Sequence, residues 1–227
     1  MQTKILYILK MATFHWNVRS WSFAFKKILS KNNLDFKNKS ILEIGATSKS
    51  NVATYFKKNN KITLSSIDEI EIEKMRKIFS STKISVLKLD IFNFQKKYDL
   101  IIMKSILGGL CRNEGKVKAN SIIQKLISNN LNKGGGILSL DNGRPRYNNL
   151  LKNFGSRKNN WFFFKENDLN NFEYVYVFGF LSSFSLKTRI GFLGSIVEDI
   201  LYIIDRLIFL FYKKNPTIII KYFKKND

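Results

Sequence analysis

The feature that most constrains this chain is a succession of short apolar runs, each ending on a polar residue or glycine and each followed by a stretch with helical spacing. The first is Lys39-Ser40-Ile41-Leu42-Glu43-Ile44-Gly45, which reads as a buried strand entering a turn. Residues 50–58 then read as a helix, 61–67 as a second strand, 69–79 as a charged amphipathic helix, and 84–89 as a third strand stopping at Asp90. Asp99 to Met103 is apolar in the manner of strands buried inside a parallel sheet. Residues 116–131 carry Val117, Ile122, Ile123, Leu126 and Ile127 at helical intervals, and Lys133-Gly134-Gly135-Gly136 breaks the chain before a fifth strand, Ile137 to Leu140. Five strand-helix units in order predict a doubly wound parallel sheet, because parallel neighbours need crossover helices.

The flanks differ. Residues 12–32 place Trp21, Phe25, Ile28 and Leu29 at helical intervals, which predicts one N-terminal helix. Residues 173–181 and 217–223 read as strands, with a long apolar helix from about 193 to 212 between them and Pro216 at the entry to the last strand. The sum is a Rossmann-like α/β fold, a seven-stranded, mostly parallel sheet with an antiparallel last strand and helices on both faces. With 227 residues there is room for one well-filled domain. Residues 1–37 form an N-terminal helical segment placed to act as a lid, and 38–227 form the main domain.

Ligands of such sheets bind outside the carboxyl ends of the strands. Glu43, Ser66 with Asp68, Asp90, and Lys104 with Ser105 fall at those ends. In this setting the first loop, Glu43-Ile44-Gly45-Ala46-Thr47-Ser48-Lys49, resembles the acidic-x-Gly-x-Gly-x-Gly loop of the class I S-adenosylmethionine (AdoMet) methyltransferases, with Thr47 and Lys49 in place of the later glycines. Lys133-Gly134-Gly135-Gly136-Ile137-Leu138 resembles that family's turn into strand five, without its proline. Tyr98 to Gly109, with its Lys104-Ser105-Ile106-Leu107-Gly108-Gly109 ending, and Asn215 to Phe223 look like a bacterial subgroup associated with surface-polysaccharide gene clusters.

The resemblance implies AdoMet as cofactor. Its methionine end would meet Glu43, Gly45 and Ala46, its ribose Ser66 or Asp68, and its adenine Asp90 and Ile91, with Ser105 beside the donor. It also implies methyl transfer, to a sugar hydroxyl of a surface glycan or its precursor, with a small-molecule or glycan acceptor. No metal is implied. The Asn-Pro-Pro-Tyr motif of amino-group DNA methyltransferases is absent after strand four, which argues against DNA base methylation. Two other readings compete: an RNA methyltransferase drawn by charge, and a non-catalytic Rossmann-like interaction protein.

A hydroxyl acceptor must lose a proton, and His15, the only histidine, is the candidate general base. A packing role beside Trp16 is the alternative. Ser105 is either a pocket residue or a helix N-cap. Gly108 and Gly109 either allow close backbone approach or turn the chain. Arg112, Arg144 and Arg146 form a phosphate-binding set or a solvated basic rim.

The formal charge of +22 draws nucleic acid, anionic lipid or phosphorylated substrates. Heavy use of Lys, Asn and Ile would also raise it without selecting a partner. Lysines are spread along the whole chain, without an Arg-rich tail or ribonucleoprotein motif, so nucleic acid is the weaker partner. The single cysteine, Cys111, forms no intramolecular disulfide, and no signal peptide opens the chain, which fits the cytoplasm. The apolar stretch Ile190–Tyr212 contains Glu198, Asp199, Asp205 and Arg206, which count against a spanning helix. It reads as a core helix or as one lying on an anionic membrane at its inner face, with Lys213, Lys214, Lys221, Lys224 and Lys225 as lipid-attracting neighbours.

Overall fold

A computed structural model describes residues 12–13, 16–32, 34, 36–48, 52–143, 161–169, 172–179, 187–188, 193–212 and 216–226. Seven strands form one sheet: β1 (Ser40–Ile44), β2 (Lys61–Ser66), β3 (Ser85–Lys88), β4 (Tyr98–Lys104), β5 (Leu131–Asn142), β6 (Tyr174–Phe178) and β7 (Ile218–Lys224). Their order is β3-β2-β1-β4-β5-β7-β6, with β7 antiparallel to both β5 and β6. The helices are α1 (Trp16–Lys31), α2 (Glu69–Phe79), α3 (Leu107–Leu110), α4 (Gly115–Asn129) and α5 (Leu193–Phe211). A short ribbon pairs Ala12–Thr13 with Lys187–Thr188.

The central strands are apolar on both faces because both faces are covered. On one, Ile41, Leu100, Ile102, Leu138 and Leu140 pack with Ala24, Phe25 and Ile28 of α1. On the other, Leu42, Ile101, Met103 and Ile137 pack with Ala119, Ile122, Ile123 and Leu126 of α4, whose spacing places them on one side of that helix. Glu69 and Glu71 in the first turn of α2, and Arg76 and Lys77 in its last, oppose its dipole.

Four expectations change in detail. The N-terminal helix expected over 12–32 starts at Trp16, Ala12 and Thr13 being a strand of the short ribbon. The helix expected over 50–58 is one 3-10 turn, Ala53–Phe56. The helix expected over 116–131 is preceded by the separate short α3 and starts at Gly115, which has a φ of 58°. The glycine run before strand five does not stop the strand: β5 runs from Leu131, and the extra residues bulge out between the pairs Tyr98–Leu131 and Leu100–Gly136.

Candidate functional site

The strand order reverses between β1 and β4, since β1 to β3 build outward on one side and β4 and β5 on the other. Such a switch point opens a crevice at the carboxyl ends of the strands. Glu43, Gly45, Lys104 and Ser105 all belong to those two strand ends.

Glu43 is 1% exposed in the middle of an otherwise apolar strand. Its Oε2 accepts hydrogen bonds from the amides of Val52 (2.6 Å) and Ala53 (2.7 Å), so the carboxylate closes the whole first loop and fixes the start of the 3-10 turn. Its Oε1 is buried with no hydrogen-bond partner, an arrangement that costs free energy unless something else satisfies it. Burial pushes the Glu43 carboxyl up to about 7, against the pull of the two amides and of Lys104. Glu43 pairs in register with Ile102, so Lys104, two residues further along β4, lies diagonally across on the same face. Burial lowers the Lys104 ammonium and the Glu43 charge opposes that.

Gly45 turns the loop with a φ of 69°, and a Cβ there would lie 2.0 Å from Ile106 Cδ1. Only glycine meets both demands. Beyond it the loop is pinned twice. The Ala46 amide donates to Ser65 O (2.8 Å), and the Ser48 amide and hydroxyl both donate to Oε2 of Glu71 on α2 (2.9 Å each). Hydrogen bonds from Lys74 and then from Ser48 hold the Glu71 carboxyl down at about 2. Glu71 carries no sequence signal: it is one more acidic residue in a charged helix, and only the fold brings it to the loop. Lys49 lies outside the described residues.

At the tip of β2 the Ser66 hydroxyl is buried and accepts from the Asp68 amide (3.2 Å). Asp68 is exposed and is the N-cap of α2, its Oδ1 accepting from Ile70 (2.9 Å) and Glu71 (3.4 Å). Asp90 forms its own turn, accepting from the Phe92 amide and from Asn93 Nδ2 (2.9 Å each), and Ile91 beside it is 8% exposed. Ile67, just past the β2 tip, is 69% exposed, an apolar contribution to this edge that strand patterning does not single out.

Ser105 has a φ of 54°. It is the one non-glycine, non-asparagine residue with positive φ among those described, in a conformation that costs about 1–3 kcal/mol. Its amide donates to Leu140 O (2.8 Å) and its Oγ accepts from Asn142 Nδ2 (3.1 Å), which ties the tips of β4 and β5 together. It is not a helix cap: α3 begins after Ile106, without a side-chain cap. Gly108 and Gly109 admit Trp161, whose Nε1 would be 2.1 Å from a Cβ at Gly108. Arg112 lies over the Trp161 ring, 5.9 Å from its centroid.

Trp161 opens a segment that walls the ends of β4 and β5. The Phe162 amide donates to Gly108 O (3.0 Å) and the Phe164 amide to Asn142 O (3.2 Å). From below, the buried Lys221 of β7 donates to Lys165 O (3.1 Å). Lys221 shares its side of the sheet with Ser139, its register partner, and Asp141. Ser139 donates to Asp141 Oδ2, while Asp141 Oδ1 is a second buried oxygen with no partner. Burial pushes Asp141 up to about 6. A groove of about 480 Å³ runs between this segment and the α3–α4 turn, lined among others by Arg112, Lys116, Phe162, Phe163 and Lys165.

Glu43, Gly45 and Ser105 thus stand at the adjoining ends of β1 and β4, whereas Ala46 is buried in the core with Ala24 and Phe25. Ser66 and Asp68 stand at the β2 edge of the crevice, and Asp90 and Ile91 follow β3. His15, Arg144 and Arg146 lie outside the described residues.

No family model matches the chain and no curated protein matches it. Solved structures do. A SAM-dependent methyltransferase of Methanosarcina mazei aligns with a TM-score of 0.57 at 15% identity, over 87% of this chain and 97% of that one. A plantazolicin methyltransferase, solved with a monoazolic desmethylPZN analog and SAH, gives 0.52 at 15% identity over 94% and 85%. A structure from echinomycin biosynthesis, described for the conversion of a disulfide bond into a thioacetal group, gives 0.55 at 8% identity over 88% and 80%. At these identities the likeness is one of architecture alone, a Rossmann-like α/β fold.

Proposed function

We propose that this chain is an AdoMet-dependent methyltransferase acting on a sugar hydroxyl of a surface glycan or its precursor. The observation that carries the reading is Glu43: a carboxylate at the switch point with one oxygen committed to the loop amides and the other buried and unpartnered. The ammonium of AdoMet is the kind of group Oε1 lacks. Gly45 presents no side chain to the cofactor, with the buried Ala46 behind it, and Ser66 with Asp68 offers oxygens to the ribose. Ile91 gives an apolar surface for adenine, with Asp90 beside it, and Ser105 lines the donor's methyl side.

Bound AdoMet supplies an electrophilic methyl group on a sulfonium. An acceptor hydroxyl that took this methyl would have to give up its proton to a base, for which His15 is the candidate. The chain's main contribution is positioning: Glu71 and Ser65 hold the loop, and Asn142 holds Ser105. The groove supports the acceptor class, since Phe162 and Phe163 offer flat apolar walls to a sugar and Arg112, Lys116 and Lys165 offer donors to a phosphate.

The test is methyl transfer from tritiated AdoMet to purified glycans, lipid-linked sugars and RNA, assayed side by side. Label that stays with the glycan after ribonuclease treatment is expected. Label in RNA alone would overturn the sugar assignment.

A further inference from the structure

The outward side of α5 is apolar where a surface helix is ordinarily polar. Ile200, Ile203, Ile204, Leu207, Leu210 and Phe211 are all exposed, Phe211 to 90%, and their spacing gathers them on one side of the helix. The inward side carries the acid. Asp205 is fully buried, while Tyr202 and Phe209 pack against Phe178, ring centroids 6.5 and 5.5 Å away. Arg206 is the one exposed charge between 200 and 211, with its guanidinium 4.8 Å from the Phe23 ring centroid. Single exposed apolar residues are ordinary, but a continuous stripe on one helix marks an interaction surface.

We propose that this side of α5 docks on an anionic membrane surface, with the helix lying in the plane of the lipid headgroups. Charge selects the occupant. A second copy would set +22 against +22, whereas anionic lipid attracts the same charge. The sequence runs from α5 directly into Lys213 and Lys214, and Lys26 and Lys27 are exposed on α1, which packs beside α5. Among the described residues no helix is long and apolar enough to cross a membrane, so the contact is with one leaflet. This goes beyond methyl transfer and holds whether or not the chain is an enzyme.

The experiment is flotation of the full chain with phosphatidylcholine vesicles, with and without about 30% phosphatidylglycerol, at low and high salt. It is repeated with the double variant Leu207→Glu/Phe211→Glu, whose fold is checked by circular dichroism and whose mass is measured by light scattering. The wild type should float with the anionic vesicles, and the variant should lose at least about tenfold in bound fraction. Three results overturn the proposal: no flotation of the wild type, flotation undiminished in the folded variant, or a wild-type dimer that the substitutions dissolve. The last would assign the surface to a second copy.

Discussion

Replacing Glu43 by Gln separates a group kept for binding from one kept for folding. The glutamine carbonyl can still accept from Val52 and Ala53, whose amides now meet Oε2 at 2.6 and 2.7 Å. What disappears is a buried charge. Glu43 is pushed from 4.5 to about 7, mainly by burial, so the folded state holds a proton in that window that the unfolded state has lost. Stability therefore falls as pH rises from 4.5 to about 7. At about 1.4 kcal/mol for each tenfold change in proton affinity, the ionised carboxylate costs about 3 kcal/mol above pH 7. Glu43→Gln should gain up to that amount at pH 8 and almost nothing at pH 5, read from urea unfolding at both values. The same variant should bind AdoMet at least about tenfold more weakly, the pattern of a residue that gives up stability for function. A folded variant that loses more than about 1 kcal/mol at pH 8 would refute the reasoning, because the charge would then be holding the loop.

Glu71→Gln should weaken AdoMet binding several-fold by calorimetry and slightly lower the unfolding midpoint at pH 7, because Ser48 and Lys74 lose a charged partner although the core stays closed. With its carboxyl held down at about 2, the Glu71 contact is present above pH 4.5 and is lost as pH falls toward 2, which a pH series on wild type and variant checks. Gly108→Ala should cost about 1–3 kcal/mol in urea unfolding, since its Cβ would meet Trp161 Nε1 at 2.1 Å and the Phe162 backbone oxygen at 2.6 Å. Gly109→Ala, which meets only ring atoms at 2.9 Å and beyond, should cost less, and the reverse order would contradict the packing described.

The parts legible in the sequence are those that one local pattern determines. Strands β1 and β4 are buried on both faces, so they read as unbroken apolar runs, and the alternation with helices forces the parallel order. Glu43 and Gly45 were visible because a carboxylate and a glycine end the first run. The 3-10 turn after them is shorter than the helix expected over 50–58, because the Glu43 carboxylate, not helical periodicity, holds its first amides. Strand β5 hides its start because a glycine run reads as a break, although a bulge absorbs it. Long-range partners leave no local trace. Trp161 fills the space over Gly108 and Gly109, Glu71 holds Ser48, and Lys221 reaches Lys165 only after the sheet has formed. The apolar character of α5 is plain in its sequence, but which side it turns outward is not, since Asp205 is expected to face water and is buried.

Whether AdoMet binds at Glu43 and Gly45 is decided by titration calorimetry of the purified full chain. One site of about micromolar affinity is expected, which S-adenosylhomocysteine also fills and Glu43→Gln weakens. A folded wild type that binds neither compound would contradict that expectation and leave the fold with a non-catalytic role.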